Sequence, residues 1–176
     1  MRPRQTIAAL VAGLLLNGAS PLPAQPNLAW DQVANIKDAA TRLAALQRRQ
    51  GATRAYAFID ACYRTHMLSE AYTQALEACI AQDYMETQVL ALIYSRVPAD
   101  TLRRQGVPSP RMLADAMGQR IGAAFANYKL PLTYVDEFKK LVDQHGFPLF
   151  YKALFPNSKL PPRGNPSPGE AEQKQE

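Results

Sequence analysis

The chain has 176 residues, with 20 Lys or Arg against 15 Asp or Glu and a formal net charge of +5. That length fits one domain, large enough to bury a core without a structural metal or a dense disulfide framework. The basic excess is small and forms no clustered face, which argues against a nucleic-acid partner.

Residues 1–24 read as a secretory leader. Arg2 and Arg4 form a charged start, residues 7–16 are a ten-residue apolar run, and Pro21, Pro23 and Ala24 break the helix at a small-residue cleavage site. Ten apolar residues are too few to cross a bilayer, which takes about 20. Cleavage after Ala24 removes Arg2 and Arg4 and leaves 152 residues, with 18 basic against 15 acidic. No second long apolar run follows, so the mature chain is expected to have no transmembrane span. The leader has no Arg-Arg pair, and no cysteine sits near the cleavage site. General export to a bacterial periplasm, or secretion, is the expected route.

The first helix is expected over 31–50, with Asp31 as its cap and Val33, Ile36, Ala40 and Leu43 at three- and four-residue spacing. Arg48 and Arg49 suit the negative end of its dipole, and Gly51 is its stop. A second helix, 53–66, carries Tyr56, Ile59, Cys62, Tyr63 and His66 on one stripe. Ser69 is placed as the cap of a third helix running to about 96, ended by Pro98. Its near-continuous apolar run, 89–94, is expected to be its most buried part.

A short turn over 99–105 is broken by Gly106 and Pro108. Ser109-Pro110 then starts a helix to about 128. Thr133 is read as the cap of a helix over 134–145 that stops at His145-Gly146, where His145 is expected to serve the terminal carbonyls. Residues 147–155 form one last short helix. The resulting expectation is an all-α, compact bundle of four to five helices, occupying 25–156. Beyond it, the proline-rich and apolar-poor 157–176 reads as a disordered tail.

The only two cysteines, Cys62 and Cys79, lie 17 residues apart. On one unbroken helix they would be about 25 Å apart, too far to bond. A turn near 66–70 brings them together as a stapled helical hairpin, although the caps place that turn slightly before the midpoint at 70–71. Export makes the disulfide the expected state. Two alternatives stand beside it: buried thiols, or a soft-metal site. In the second, Cys62 and His66 share a helix face four residues apart, and Met67 and Met85 add soft thioethers, a set that favours copper(I).

Ala114, Gly118, Gly122 and Ala126 make a stripe of small side chains at four-residue spacing. Glycine inside a helix costs about 1 kcal/mol against alanine, so the stripe is expected to admit a closely crossing helix, from this chain, a second copy or a partner. Gln119, Arg120 and Asn127 are incompatible with a membrane span there. Eight tyrosines suit half-buried seams.

The catalytic inventory is poor. The chain has two histidines and no G-x-S-x-G, H-E-x-x-H or phosphate-loop motif. Asp83 and Glu86, three apart, read as an ordinary solvated pair, and Arg96, Arg103, Arg104, Arg111 and Arg120 as solvated surface. The function expected from these residues is that of an exported, non-catalytic helical protein acting by protein–protein interaction or as a homodimer, such as an adaptor, chaperone or envelope-assembly factor, with no cofactor and no resident metal. A periplasmic metal handler using Cys62, His66 and Met67 is the first alternative. An enzyme with an unrecognised site is the second.

Overall fold

A computed structural model describes residues 28–161. The leader and most of the proline-rich tail lie outside the described residues. Within them all regular structure is helical: α1 (Gln32–Gln50), α2 (Ala52–His66), α3 (Gln74–Tyr94), α4 (Ala99–Arg104), α5 (Pro110–Asn127), α6 (Leu132–Leu141) and α7 (Phe147–Leu154). The all-α bundle with one stapled hairpin is therefore the architecture.

Local chemistry sets most boundaries. The Asp31 carboxylate accepts from the Ala34 N–H at 3.0 Å and starts α1. Gly51, at φ 79°, both ends α1 and begins α2; that left-handed conformation is open to glycine at little cost. The Ser109 hydroxyl accepts from the Met112 N–H, with Pro110 in the first turn of α5.

Three expected boundaries move. Ser69 does not cap α3. Its N–H bonds the His66 carbonyl and closes α2, while Thr73, in extended conformation, accepts from Leu76 N–H at 3.2 Å and opens α3. The hairpin turn thus centres on residue 70, which removes the register offset in the cysteine pairing. Helix α6 starts at Leu132, one residue before Thr133, with Pro131 supplying the extended cap conformation.

Gly146 is the third case, and it does not stop a helix. The chain runs from α6 through a wider π turn, Val142–Gly146, directly into α7. Proline at 148 lacks an N–H, and its ring would clash with the carbonyl four residues back. Widening the turn relieves that conflict, and the Phe147 N–H reaches the Val142 carbonyl five residues back. His145 sits half-buried inside this rod rather than at a helix end. Gly146 is needed for another reason. A Cβ there would meet Ile36 Cγ2 at 2.7 Å and Met85 Sδ at 3.0 Å. Its missing side chain is what lets the rod press against α1 and α3.

Helix α3 is the axis of the molecule, and α1, α2, α5 and α7 all pack on it. Every residue from Leu76 to Thr87 is buried, as are Val89 and Leu90. The most buried stretch is therefore earlier than 89–94; Ile93 is 40% exposed. Cys62–Cys79, Tyr63–Asp83 and Tyr56–Thr87 show that α2 runs antiparallel to α3. Since α2 begins at Ala52, its cover gives out towards the last turn of α3. Tyr72 anchors an aromatic seam at the other end, with Trp30, Phe125, Tyr128 and Tyr134 ring centroids 5.9–6.0 Å from its own.

Candidate functional site

Three carboxylates lie on the fully buried part of α3: Glu77, Asp83 and Glu86, each 0% exposed. The solvated reading of Asp83 and Glu86 is thus corrected. The available signal was the helix itself. A helix that is apolar on every side is buried on every side, and acids within it go inside with it.

The three acids meet different surroundings. Glu77 accepts from Trp30 Nε1 at 2.8 Å, Gln32 Nε2 at 2.7 Å, Asn35 Nδ2 at 3.0 Å and the Tyr134 hydroxyl at 3.0 Å. Four neutral donors satisfy it and tie α1 and α6 to the axis, so its work is structural. Asp83 faces α2 and α5. Arg120 donates to it through Nε at 2.9 Å and Nη2 at 2.6 Å, a bidentate pair. The Tyr63 hydroxyl donates to the same carboxylate at 3.2 Å and the Thr87 hydroxyl at 3.4 Å. The hydrogen bonds that Arg120 donates to Asp83 raise the Arg120 pKa above its ordinary value. Burial, and then the Asp83 charge, push the Tyr63 hydroxyl far above the usual tyrosine range. Arg120 keeps 41% of its side chain exposed, as a surface arginine does, yet it is not a free charge: it pairs with the fully buried Asp83.

Glu86 is the exception. Neither of its carboxylate oxygens has a hydrogen-bond partner among the described residues. Burial pushes its pKa up to about 8, so the neutral acid is the resident form at pH 7.

A cleft of about 320 Å³ opens between α2, α3 and α5. Asp83 and Arg120 form its polar side and the exposed Asp60, paired with Arg64, stands at its rim; Tyr56, Ile59, Tyr63 and Met67 of the α2 hairpin and Ala123 of α5 form its largely apolar walls. The volume is at the small end of ligand sites. The polar side is internally satisfied, so the cleft offers an apolar slot beside a neutralised ion pair.

The disulfide forms, with the Cα atoms of Cys62 and Cys79 5.8 Å apart. It lies one helical turn along α2 from His66, and one ligand atom from each of Cys62, His66 and Cys79 falls within 4.8 Å of the others. The structure thus groups Cys79 with the pair singled out for metal binding and places Met67 in the cleft wall. The turn beyond α2 is pinned by Tyr128, whose hydroxyl lies 3.1–3.3 Å from the carbonyls of His66, Met67 and Ser69.

The small-residue stripe does not receive a crossing helix from the described residues. Gly118, Gly122 and Ala126 are exposed and Ala114 is half-buried. A Cβ built on either glycine meets nothing within 4 Å. Helix α5 packs inward through Met117, Ile121, Ala124 and Phe125. At 3.6 residues per turn, the stripe leaves α5 on one flank of that face, and Arg120 and Ala123 leave it on the other. The cleft and the stripe are two separate surfaces.

Comparison of the chain with protein-family models, with curated proteins and with solved structures finds no match.

Proposed function

We propose that this is an exported helical protein that works by binding another protein, with the cleft between α2, α3 and α5 seating one apolar side chain of the partner. The cleft is the observation that carries the reading. Its walls are largely apolar, its volume of about 320 Å³ is too small for a large cofactor, Asp83, Arg120 and Tyr63 are held by one another, and Asp60 at the rim is paired with Arg64. A carboxylate that accepts four hydrogen bonds is poorly placed as a general base, because its lone pairs are engaged. A rigid polar edge beside an apolar slot instead gives a partner side chain a defined position at low ordering cost.

Export rests on the charged, apolar and small-residue order of 1–24. A disulfide suits an oxidising compartment, and no helix among the described residues is long and apolar enough to cross a membrane.

The test is site-specific. Ala123 is exposed and lines the cleft, so Ala123→Trp fills the slot from its rim. A photo-reactive residue at Tyr56 or Met67, both half-buried in the cleft wall and introduced in cells, should cross-link one envelope protein, and Ala123→Trp should abolish that adduct without lowering the melting temperature. An adduct of two copies of this chain would make the partner a homodimer. Cross-linking that is unchanged by a filled cleft, or absent altogether, would remove the reading.

A further inference from the structure

We propose that reduction of the Cys62–Cys79 disulfide creates a Zn²⁺ site made of the two thiolates and the His66 imidazole. Three donors of the right type are already gathered, with one ligand atom from each within 4.8 Å of the others. Zinc bonds of about 2.3 Å to sulfur and about 2.0–2.1 Å to nitrogen place tetrahedral donors a little under 4 Å apart. Once the S–S bond is broken, the sulfurs separate to that spacing by small side-chain rotations.

With α2 seated on α3 the backbone sets the three side by side, and the metal replaces the constraint that reduction removes. Cys62 and His66 are on the same face of the last turns of α2. Cys79 is fixed on the buried axis, and Tyr128 holds the connecting turn through its carbonyls. Cys62 and His66 are half-buried, which leaves a path for the ion.

Charge decides the metal. Two thiolates and a neutral imidazole balance the charge of a divalent cation, whereas Cu⁺ would leave a net negative charge beside a buried sulfur. The mixed nitrogen and sulfur set also suits Zn²⁺. Three protein ligands leave a fourth position, as in zinc sites that keep an exchangeable ligand.

The chemistry balances with an external dithiol. Its thiolate attacks one cystine sulfur and the other leaves as a thiolate. The second thiol of the reagent then resolves the mixed disulfide. The reagent ends as a disulfide, and Cys62 and Cys79 each gain one electron and one proton. Zn²⁺ then displaces both thiol protons to solvent. This site is independent of the partner reading, since it needs neither the cleft nor a second protein.

The experiment uses the full mature chain, reduced without oxygen by a phosphine and titrated with Co²⁺ as a spectroscopic probe for zinc. One equivalent should produce thiolate-to-cobalt charge transfer and tetrahedral d–d bands, and Zn²⁺ should bleach both. Zinc should also protect both cysteines from alkylation, and the oxidised chain should show none of this. His66→Ala removes a direct ligand, so its affinity should fall by at least the about 10–100-fold that loss of an outer-shell partner costs. No charge-transfer band in the reduced chain would overturn the proposal. So would equal affinity in His66→Ala, capture of Cu⁺ but not Zn²⁺, or binding by a reduced chain whose helical circular dichroism is lost and not restored by the metal.

Discussion

Glu86 shows how much one side chain can hide. Three residues from Asp83, it looks in the sequence like half of a solvated pair; in the fold it is a fully buried carboxyl with neither oxygen partnered among the described residues. Burial pushes it up to about 8, whereas an unfolded glutamate titrates near 4.3. Between those values the folded chain holds a proton that the unfolded chain has released. Stability from this group is therefore full below the unfolded pKa. It declines as pH rises, by up to about 1.4 kcal/mol per unit, until it levels off above about 8. Glu86→Gln carries no such proton. Denaturant melts at pH 5, 7 and 8.5 should show the wild type losing stability relative to Glu86→Gln at each step. Parallel curves would mean that the carboxyl is solvated or paired. At this scale the sequence was legible where a residue acts on its own backbone, as Asp31, Gly51 and Ser109 do. It was illegible where the role depends on a distant partner. Nothing local distinguishes Arg120, paired with Asp83 across 37 residues, from the other arginines beside it.

At the scale of elements, the two kinds of glycine make the point. In the sequence the spacing of Gly118 and Gly122 predicts a crossing helix, yet a side chain at either would meet open space. Gly146 looked like a routine helix stop, yet it is the position where Ile36 and Met85 leave no room for a Cβ. Spacing along one helix reports which residues share a face; it does not report what lies opposite. The two environments predict opposite signs. Gly118→Ala and Gly122→Ala should each stabilise by about 0.4–1 kcal/mol. Gly146→Ala should destabilise by about 1–3 kcal/mol, because buried neighbours must move. Thermal melts of the three variants decide it, and destabilisation by either exposed alanine would show a covered face. If Gly118→Leu and Gly122→Leu melt normally but change the oligomeric state or lose a bound protein, the stripe is an intermolecular surface. The helices themselves, apart from the π turn, were readable because their apolar spacing is local, whereas the caps at Ser69 and Thr133 were misplaced because nearby Thr73 and Pro131 start those helices instead. The π turn arises where the clash of Pro148 is resolved by tertiary packing, and no periodicity announces that.

For the whole molecule, the staple sits where the fold most needs one. Helix α2 buries only Ala55 and Ile59 completely, whereas α3 is buried along most of its length. Hydrophobic burial therefore holds the axis far more firmly than it holds α2, and the Cys62–Cys79 bond supplies α2 with a constraint worth about 3 kcal/mol for a loop of this size. Reduction should accordingly act on one part of the molecule first. Hydrogen exchange in the reduced, metal-free chain should accelerate across Ala52–His66, while the central turns of α3 stay protected, as expected for a low-stability unit opening on a firmer core. The cleft has α2 for one wall and Asp83 loses the Tyr63 donor when α2 departs, so cross-linking through the cleft should fall together with that protection. Cys62→Ser with Cys79→Ser should reproduce both effects without a reductant. Exchange that rises uniformly along the chain would mean that α2 and the axis form one cooperative unit. Exchange that does not change would mean that packing alone holds α2 and that the disulfide contributes little to the cleft.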